Sequence, residues 1–215
     1  MRPLVILRPE PGSSRSAARA KALGLEVVQI SLFAVVPMEW EAPDPGAFDA
    51  IILTSANAVR HGGEEILKLK SLPVHAIGEA TAAMARAAGF TVASVGEGGS
   101  RAMNLPQGQR LLHLTGTDHL AFPSTTDIAV YEARIVDDPE GIAQLNDCVI
   151  AVHSPRAGVR LAELVEDRTR ITIAAISEAA ASTCGPGWQE VRTAAEPNDI
   201  ALLALAASLC ESHDA

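Results

Sequence analysis

The chain has 215 residues and 22.4 kDa, with 48% apolar, 20% charged and 3% aromatic residues, a globular make-up that excludes disordered, collagen-like and fibrous chains. With 17 basic against 26 acidic residues its net charge is -9, the wrong sign for a domain that gains affinity by releasing counterions from nucleic-acid phosphates. Cys148, Cys184 and Cys210 have no CxxC spacing and read as reduced, mostly buried thiols; no apolar run reaches the roughly 18 residues of a membrane span, and Arg2 and Pro3 come too early for a signal peptide, so a cytoplasmic chain is expected.

In chain order the strand candidates are 4–7, 27–36, 50–54, 74–77, 91–95, 111–114, 128–136, 148–152, 171–176 and 190–194. Most are near-continuously apolar, as strands of a parallel sheet covered on both faces must be. Between them lie helix candidates with recognisable ends: 14–23 closed by Gly24, 79–88 closed by Gly89, and 199–211 capped by Asn198. Such alternation predicts right-handed crossovers and an α/β fold.

The chain also repeats itself at an offset of 99 residues, with Ile51-Ile52-Leu53-Thr54-Ser55 over Ile150-Ala151-Val152-His153-Ser154 and Ala76-Ile77-Gly78-Glu79-Ala80 over Ala175-Ile176-Ser177-Glu178-Ala179. Val92 and Glu97 fall over Val191 and Glu196, so the match persists through a whole βαβαβ stretch. Two similar α/β domains of about a hundred residues each follow. Ten strands divide into five per domain only if the amino-terminal βαβ joins the carboxy-terminal copy. One domain is then discontinuous, and the long runs Val27 to Met38 and Asp127 to Val136 would pair as a two-stranded hinge. Pattern alone leaves this open against two contiguous domains.

Strand ends are where open α/β sheets bind ligands. Thr54-Ser55-Ala56-Asn57 and His153-Ser154-Pro155-Arg156 put a hydroxyl there, and Ile77-Gly78-Glu79-Ala80-Thr81 and Ile176-Ser177-Glu178-Ala179-Ala180 add a second pair of helix starts. Serine is also an ordinary N-cap, but the doubling favours a cleft offering backbone N–H groups and hydroxyls to one ligand. Gly12-Ser13-Ser14 after the first strand could receive an anion or be a plain capped loop, and Gly96-Glu97-Gly98-Gly99-Ser100 is Gly-rich without opening a clear helix. No GxGxxG follows the first strand, and Walker A, HExxH and GxSxG are absent. The histidines at 61, 75, 113, 119, 153 and 213 are scattered, so neither a metal nor another cofactor is expected.

These motifs, together with Leu7-Arg8-Pro9 and Val130-Tyr131-Glu132, resemble in order and over nearly the whole chain the uroporphyrinogen-III synthase family. The resemblance implies two α/β domains with five-stranded parallel sheets (flavodoxin-like), residues 1–37 plus 132–215 and the inserted 38–131, joined by a two-stranded β-ladder hinge. It implies a cofactor-free hydro-lyase that cyclises hydroxymethylbilane. Loss of the hydroxymethyl hydroxyl gives an azafulvene; attack on the substituted carbon of ring D gives a spiro-pyrrolenine, which rearranges with ring D inverted. Tyr131, the only tyrosine, would assist departure of the hydroxide. Arg8, Ser55, Asn57, Thr81, Ser154, Arg156, Ser177 and Glu178 would contact substrate, with Arg134 another local attraction for its carboxylates. A monomer with transient contact to hydroxymethylbilane synthase is implied; a tetrapyrrole-binding protein without turnover is the alternative. Two departures stand out: Ala180 where the family has threonine, and only His119 where it has a basic residue after the glycine of Leu114-Thr115-Gly116, in a segment whose helix is shortened or missing.

Overall fold

The computed structural model describes residues 1–96, 108–119 and 121–212. It has two mostly parallel sheets with helices between strands, the edge strand of the second running antiparallel to its neighbour, where the Met38 N–H meets the Val130 carbonyl and the Val136 N–H meets that of Leu32. The first, ordered β11-β10-β9-β1-β2, contains β1 (Leu4–Ile6), β2 (Val27–Gln29), β9 (Val149–Val152), β10 (Thr172–Ala175) and β11 (Glu190–Thr193). The second, ordered β3-β8-β7-β4-β5-β6, contains β3 (Phe33–Pro37), β4 (Ala50–Leu53), β5 (Val74–Ile77), β6 (Val92–Gly96), β7 (Leu111–Gly116) and β8 (Thr125–Ile135). β4, β7, β9 and β10 are buried at every position, as their largely apolar runs require.

The five-plus-five expectation is corrected to five and six. The long run expected over 27–36 is two strands: Val27–Gln29 ends in the first sheet, and after Ile30, Ser31 and Leu32 the chain resumes as β3 at the edge of the second, beside β8. The chain divides into two compact units, Met1–Ala34 with Ile135–Ala215, and Val35–Arg134, so it passes between units inside β3 and again inside β8. The 99-residue repeat has a topological counterpart. β4, β5 and β6 correspond to β9, β10 and β11, and β1 and β2 take beside β9 the places that β7 and β8 take beside β4.

The helices are α1 (Gly12–Ala22), α2 (Ala56–His61), α3 (Glu79–Ala87), α4 (Pro155–Leu164), α5 (Glu178–Thr183) and α6 (Asp199–Glu211). α6 begins as read, Asn198 Oδ1 accepting from the Ala201 N–H at 2.9 Å. α1 begins at Gly12 rather than Ser14, and Glu10 occupies the place proposed for an anion: its carboxylate accepts from the Ser14 N–H and hydroxyl at 3.2 and 2.7 Å. Between β7 and β8 no helix occurs among the described residues, although the two strands are parallel. Most of the glycine-rich segment, residues 97–100, lies outside the described residues, as does His213.

Each unit has its own core. Leu4, Ile6, Val149, Ala151 and Ala174 of the first sheet pack with Leu202, Leu203 and Ala206 of α6; Ile51, Leu53, Val74, Leu112 and Leu114 of the second pack with Ala58 and Ala82. No helix among the described residues is long and apolar enough to cross a membrane.

Candidate functional site

In an open α/β sheet a crevice forms beyond the carboxyl ends of two neighbouring strands whose connections run in opposite directions. In the first sheet these strands are β1 and β9, in the second β4 and β7. Arg8, His153 and Ser154 therefore follow strands at one such point, and Thr54, Ser55 and Thr117 at the other.

At the first point the organising group is Asp199, the opening residue of α6. Its Oδ1 accepts from Ser16 Oγ at 2.6 Å and lies 3.0 Å from His153 Nε2 and 3.3 Å from an Arg8 guanidinium nitrogen; its Oδ2 accepts from Arg19 at 2.6 Å. Burial pushes the carboxyl upward, but hydrogen bonds from His153, Ser16 and Arg19 prevail and hold it well below the usual range. Burial lowers the pKa of Arg8 against the pull of Asp199. Arg8, expected as a substrate contact, is thus already held by Asp199 and by Ser16 at 3.2 Å. His153 has 8% of its side chain exposed, and its Nδ1 has no hydrogen-bond partner among the described residues. In the sequence His153, a member of the His153-Ser154-Pro155-Arg156 motif, reads as one of the scattered histidines and Asp199 is not singled out, because 46 residues separate the two.

The three serines at helix starts are all N-caps. Ser55 Oγ accepts from the Asn57 N–H at 3.1 Å, Ser154 Oγ from Ala157 at 3.2 Å, and Ser177 Oγ from Ala180 at 3.3 Å. Each hydroxyl spends one lone pair on its helix and keeps its proton to donate. Gly78 stands where Ser177 stands in the other copy, at φ 77°, a conformation that disfavours a side chain. Three residues on, Thr81 is 5% exposed, which limits its reach toward a ligand. Asn57 Oδ1 accepts from Arg60 at 3.1 Å, Glu178 is exposed, and the Arg156 guanidinium lies 4.4 Å from the ring centre of Phe33. That face of α4, with Phe33, Ile135, Val159, Arg160 and Glu163, forms a shallow groove.

At the second point Tyr131, on β8, lies against Gly116 at the end of β7, with its ring centre 6.2 Å from that of His61. The register of β7 and β8 shifts between Thr115 and Gly116, bringing Tyr131 opposite the glycine, and the Tyr131 carbonyl accepts from the Thr117 N–H at 3.1 Å. Burial lowers the pKa of His61.

The histidines are not all scattered. His113 on β7 pairs in register with Asp127 on β8, its Nδ1 3.3 Å from Asp127 Oδ1 and its Nε2 3.2 Å from Thr54 Oγ1. His119 approaches from the loop, Nε2 2.8 Å from Asp127 Oδ2 and Nδ1 3.0 Å from the Gly116 carbonyl oxygen. Thr125 donates to Asp127 Oδ1 at 2.6 Å. Burial pushes the Asp127 carboxyl up, but Thr125 and His119 hold it below the ordinary value. A histidine inside the apolar run Leu111–Leu114 was the sequence signal available for this cluster.

The family model described as uroporphyrinogen-III synthase HemD matches residues 14–204. No curated protein matches the chain. Among solved structures, uroporphyrinogen-III synthetase from Helicobacter pylori is similar with a TM-score of 0.67 at 19% identity, covering 97% of this chain and 100% of that one. A mutant uroporphyrinogen III synthase from Thermus thermophilus is similar with a TM-score of 0.50, also at 19% identity, covering 96% of this chain and 98% of that one. At these identities the structural likeness concerns the fold.

Proposed function

The chain belongs to the uroporphyrinogen-III synthase family, and from that premise we propose that it works as a hydro-lyase, removing water from hydroxymethylbilane and closing the ring with ring D inverted. The observation that carries this reading is the family match over residues 14–204, which runs through both compact units. It favours the synthase over a binding protein without turnover.

The enzyme's task is to hold a flexible polyacid in one folded geometry, because closure in the uninverted sense is chemically easy. Carboxylates are met by hydrogen-bond donors: the Ser55, Ser154 and Ser177 hydroxyls, Asn57, Thr81, the guanidinium groups of Arg8 and Arg156, and the N–H groups of the helix starts, including that of Glu178. Tyr131 donates a hydrogen bond, or a proton as a weak general acid, to the departing hydroxide. Its position over Gly116, beside His61, supports this role. The resulting azafulvene is attacked by the substituted carbon of ring D, and the spiro intermediate then rearranges; water is the by-product and no redox change occurs.

In this reading both domains are flavodoxin-like; the strand order β2-β1-β9-β10-β11 supports that description. β3 and β8 serve as the two-stranded link, the protein acts as a monomer in the cytoplasm, and it meets hydroxymethylbilane synthase only transiently. The test is to generate hydroxymethylbilane in place, add the purified chain, oxidise the products and measure the ratio of type III to type I uroporphyrin. Predominantly type III is expected; type I at the spontaneous rate would overturn the reading.

A further inference from the structure

We propose that His113, His119 and Asp127 form a binding site for a divalent transition metal of the zinc class, pinning the short connection between β7 and β8. One ligand atom from each lies within 4.8 Å of the other two. A tetrahedral zinc ion with bonds of about 2.0–2.1 Å to nitrogen and oxygen holds neighbouring ligand atoms about 3.3 Å apart. His113 Nδ1 lies 3.3 Å from Asp127 Oδ1 and His119 Nε2 2.8 Å from Asp127 Oδ2, so both imidazoles face the same carboxylate, and binding requires the two rings and one carboxylate oxygen to adjust toward a common centre.

The hydrogen bonds behind the ligands argue in the same direction. A carbonyl oxygen only accepts, so His119 Nδ1, 3.0 Å from the Gly116 oxygen, carries a proton. With Nδ1 facing that carbonyl oxygen, Nε2 is the ring nitrogen placed to offer a lone pair to a metal, and it stands 2.8 Å from an Asp127 carboxylate oxygen. Metal-bound histidines characteristically donate their second N–H to such a partner, and His113 has one too: Nε2 reaches Thr54 Oγ1 at 3.2 Å. Thr125 orients Asp127. Two imidazoles and one carboxylate select zinc-like ions over magnesium or calcium, which require more oxygen ligands. The His113 side chain is fully buried, whereas those of His119 and Asp127 are 25% and 20% exposed, leaving a fourth position for water or a carboxylate.

Topology supplies the reason for such a clip. Parallel neighbours are usually joined by a crossover of a dozen or more residues, commonly a helix, but β7 ends at Gly116 and β8 begins at Thr125 with no helix among the described residues between them. Tying His119 of the loop to His113 and Asp127 of the two strands would fasten this connection.

The test uses the full chain stripped with a chelator, with zinc titrated by calorimetry and cobalt followed by its visible absorption. One zinc per chain is expected, with the strong absorption of four-coordinate cobalt lost on adding zinc. His119→Ala and Asp127→Asn should each weaken zinc binding by about a hundredfold or more, whereas His75→Ala should leave it unchanged. Circular dichroism of the variants reports folding independently of metal. Failure of the parent chain to bind zinc below about 1 mM, or equal affinity in the parent and both cluster variants, would overturn the site.

Discussion

The ring of Tyr131 fills the space in front of Gly116: a Cβ on that glycine would stand 2.5 Å from Tyr131 Cε2 and 2.8 Å from Cζ. Gly116→Ala must therefore push the ring away, with an overpacking cost of about 1–3 kcal/mol. If the phenol assists loss of hydroxide, Gly116→Ala lowers type III formation through displacement, and Tyr131→Phe lowers it without lowering the melting temperature. Unchanged turnover in Tyr131→Phe would remove the phenol from the mechanism.

Asp199 predicts an acid limb of stability. Its carboxyl sits well below the ordinary value in the folded chain because His153, Ser16 and Arg19 outweigh burial. A depressed folded pKa contributes stability that is full above the unfolded aspartate value of about 4 and is lost as pH falls toward the folded value. Asp199→Asn should cost on the order of 3 kcal/mol at neutral pH and flatten the decline in acid. Urea unfolding of both proteins at several pH values checks this; parallel acid limbs would assign the decline to other carboxylates.

Gly158 is the contact point between α4 and α5. A Cβ there would meet Thr183 Oγ1 at 2.4 Å, the Ala180 carbonyl oxygen at 2.9 Å and Cys184 Sγ at 3.1 Å. The backbone oxygen cannot rotate aside, so Gly158→Ala should destabilise by about 1–3 kcal/mol despite alanine's higher helix propensity. Thermal unfolding measures the balance, and a raised melting temperature would mean that the helices separate freely.

All three cysteines are buried and unpaired, and burial pushes each thiol up to about 11. Because thiolate is the nucleophile, a thiol-specific disulfide reagent at about pH 8 should label none of them in the folded chain and all three in denaturant. Fast labelling of one cysteine in the native protein would locate a region that opens locally.

Local chemistry made much of the architecture legible. Apolar strands announced burial on both faces, Asn198 and Ser154 announced helix starts by the acceptors they offer, and the repeat at 99 residues announced two related units. Val27 to Val36 reads as one strand because hydrophobicity does not say which sheet a residue joins, and three residues within it carry the chain from one to the other. The Gly12-Ser13-Ser14 helix start reads equally as an anion site or a capped loop, and the choice falls to Glu10, whose carboxylate lies outside any pattern of glycine and serine.

By itself the sequence determined the α/β class, the repeat, the serine caps and the family resemblance, all of which rest on residues close together in the chain or on ordered motifs. Tertiary structure alone decided the six-stranded sheet, the approach of Tyr131 to Gly116, the convergence of Arg8 and His153 on Asp199, and the meeting of His113 and His119 with Asp127. The physical reason is register: strand pairing and helix docking set which distant side chains face each other, and those pairings are settled by burial over the whole core, not by local propensity.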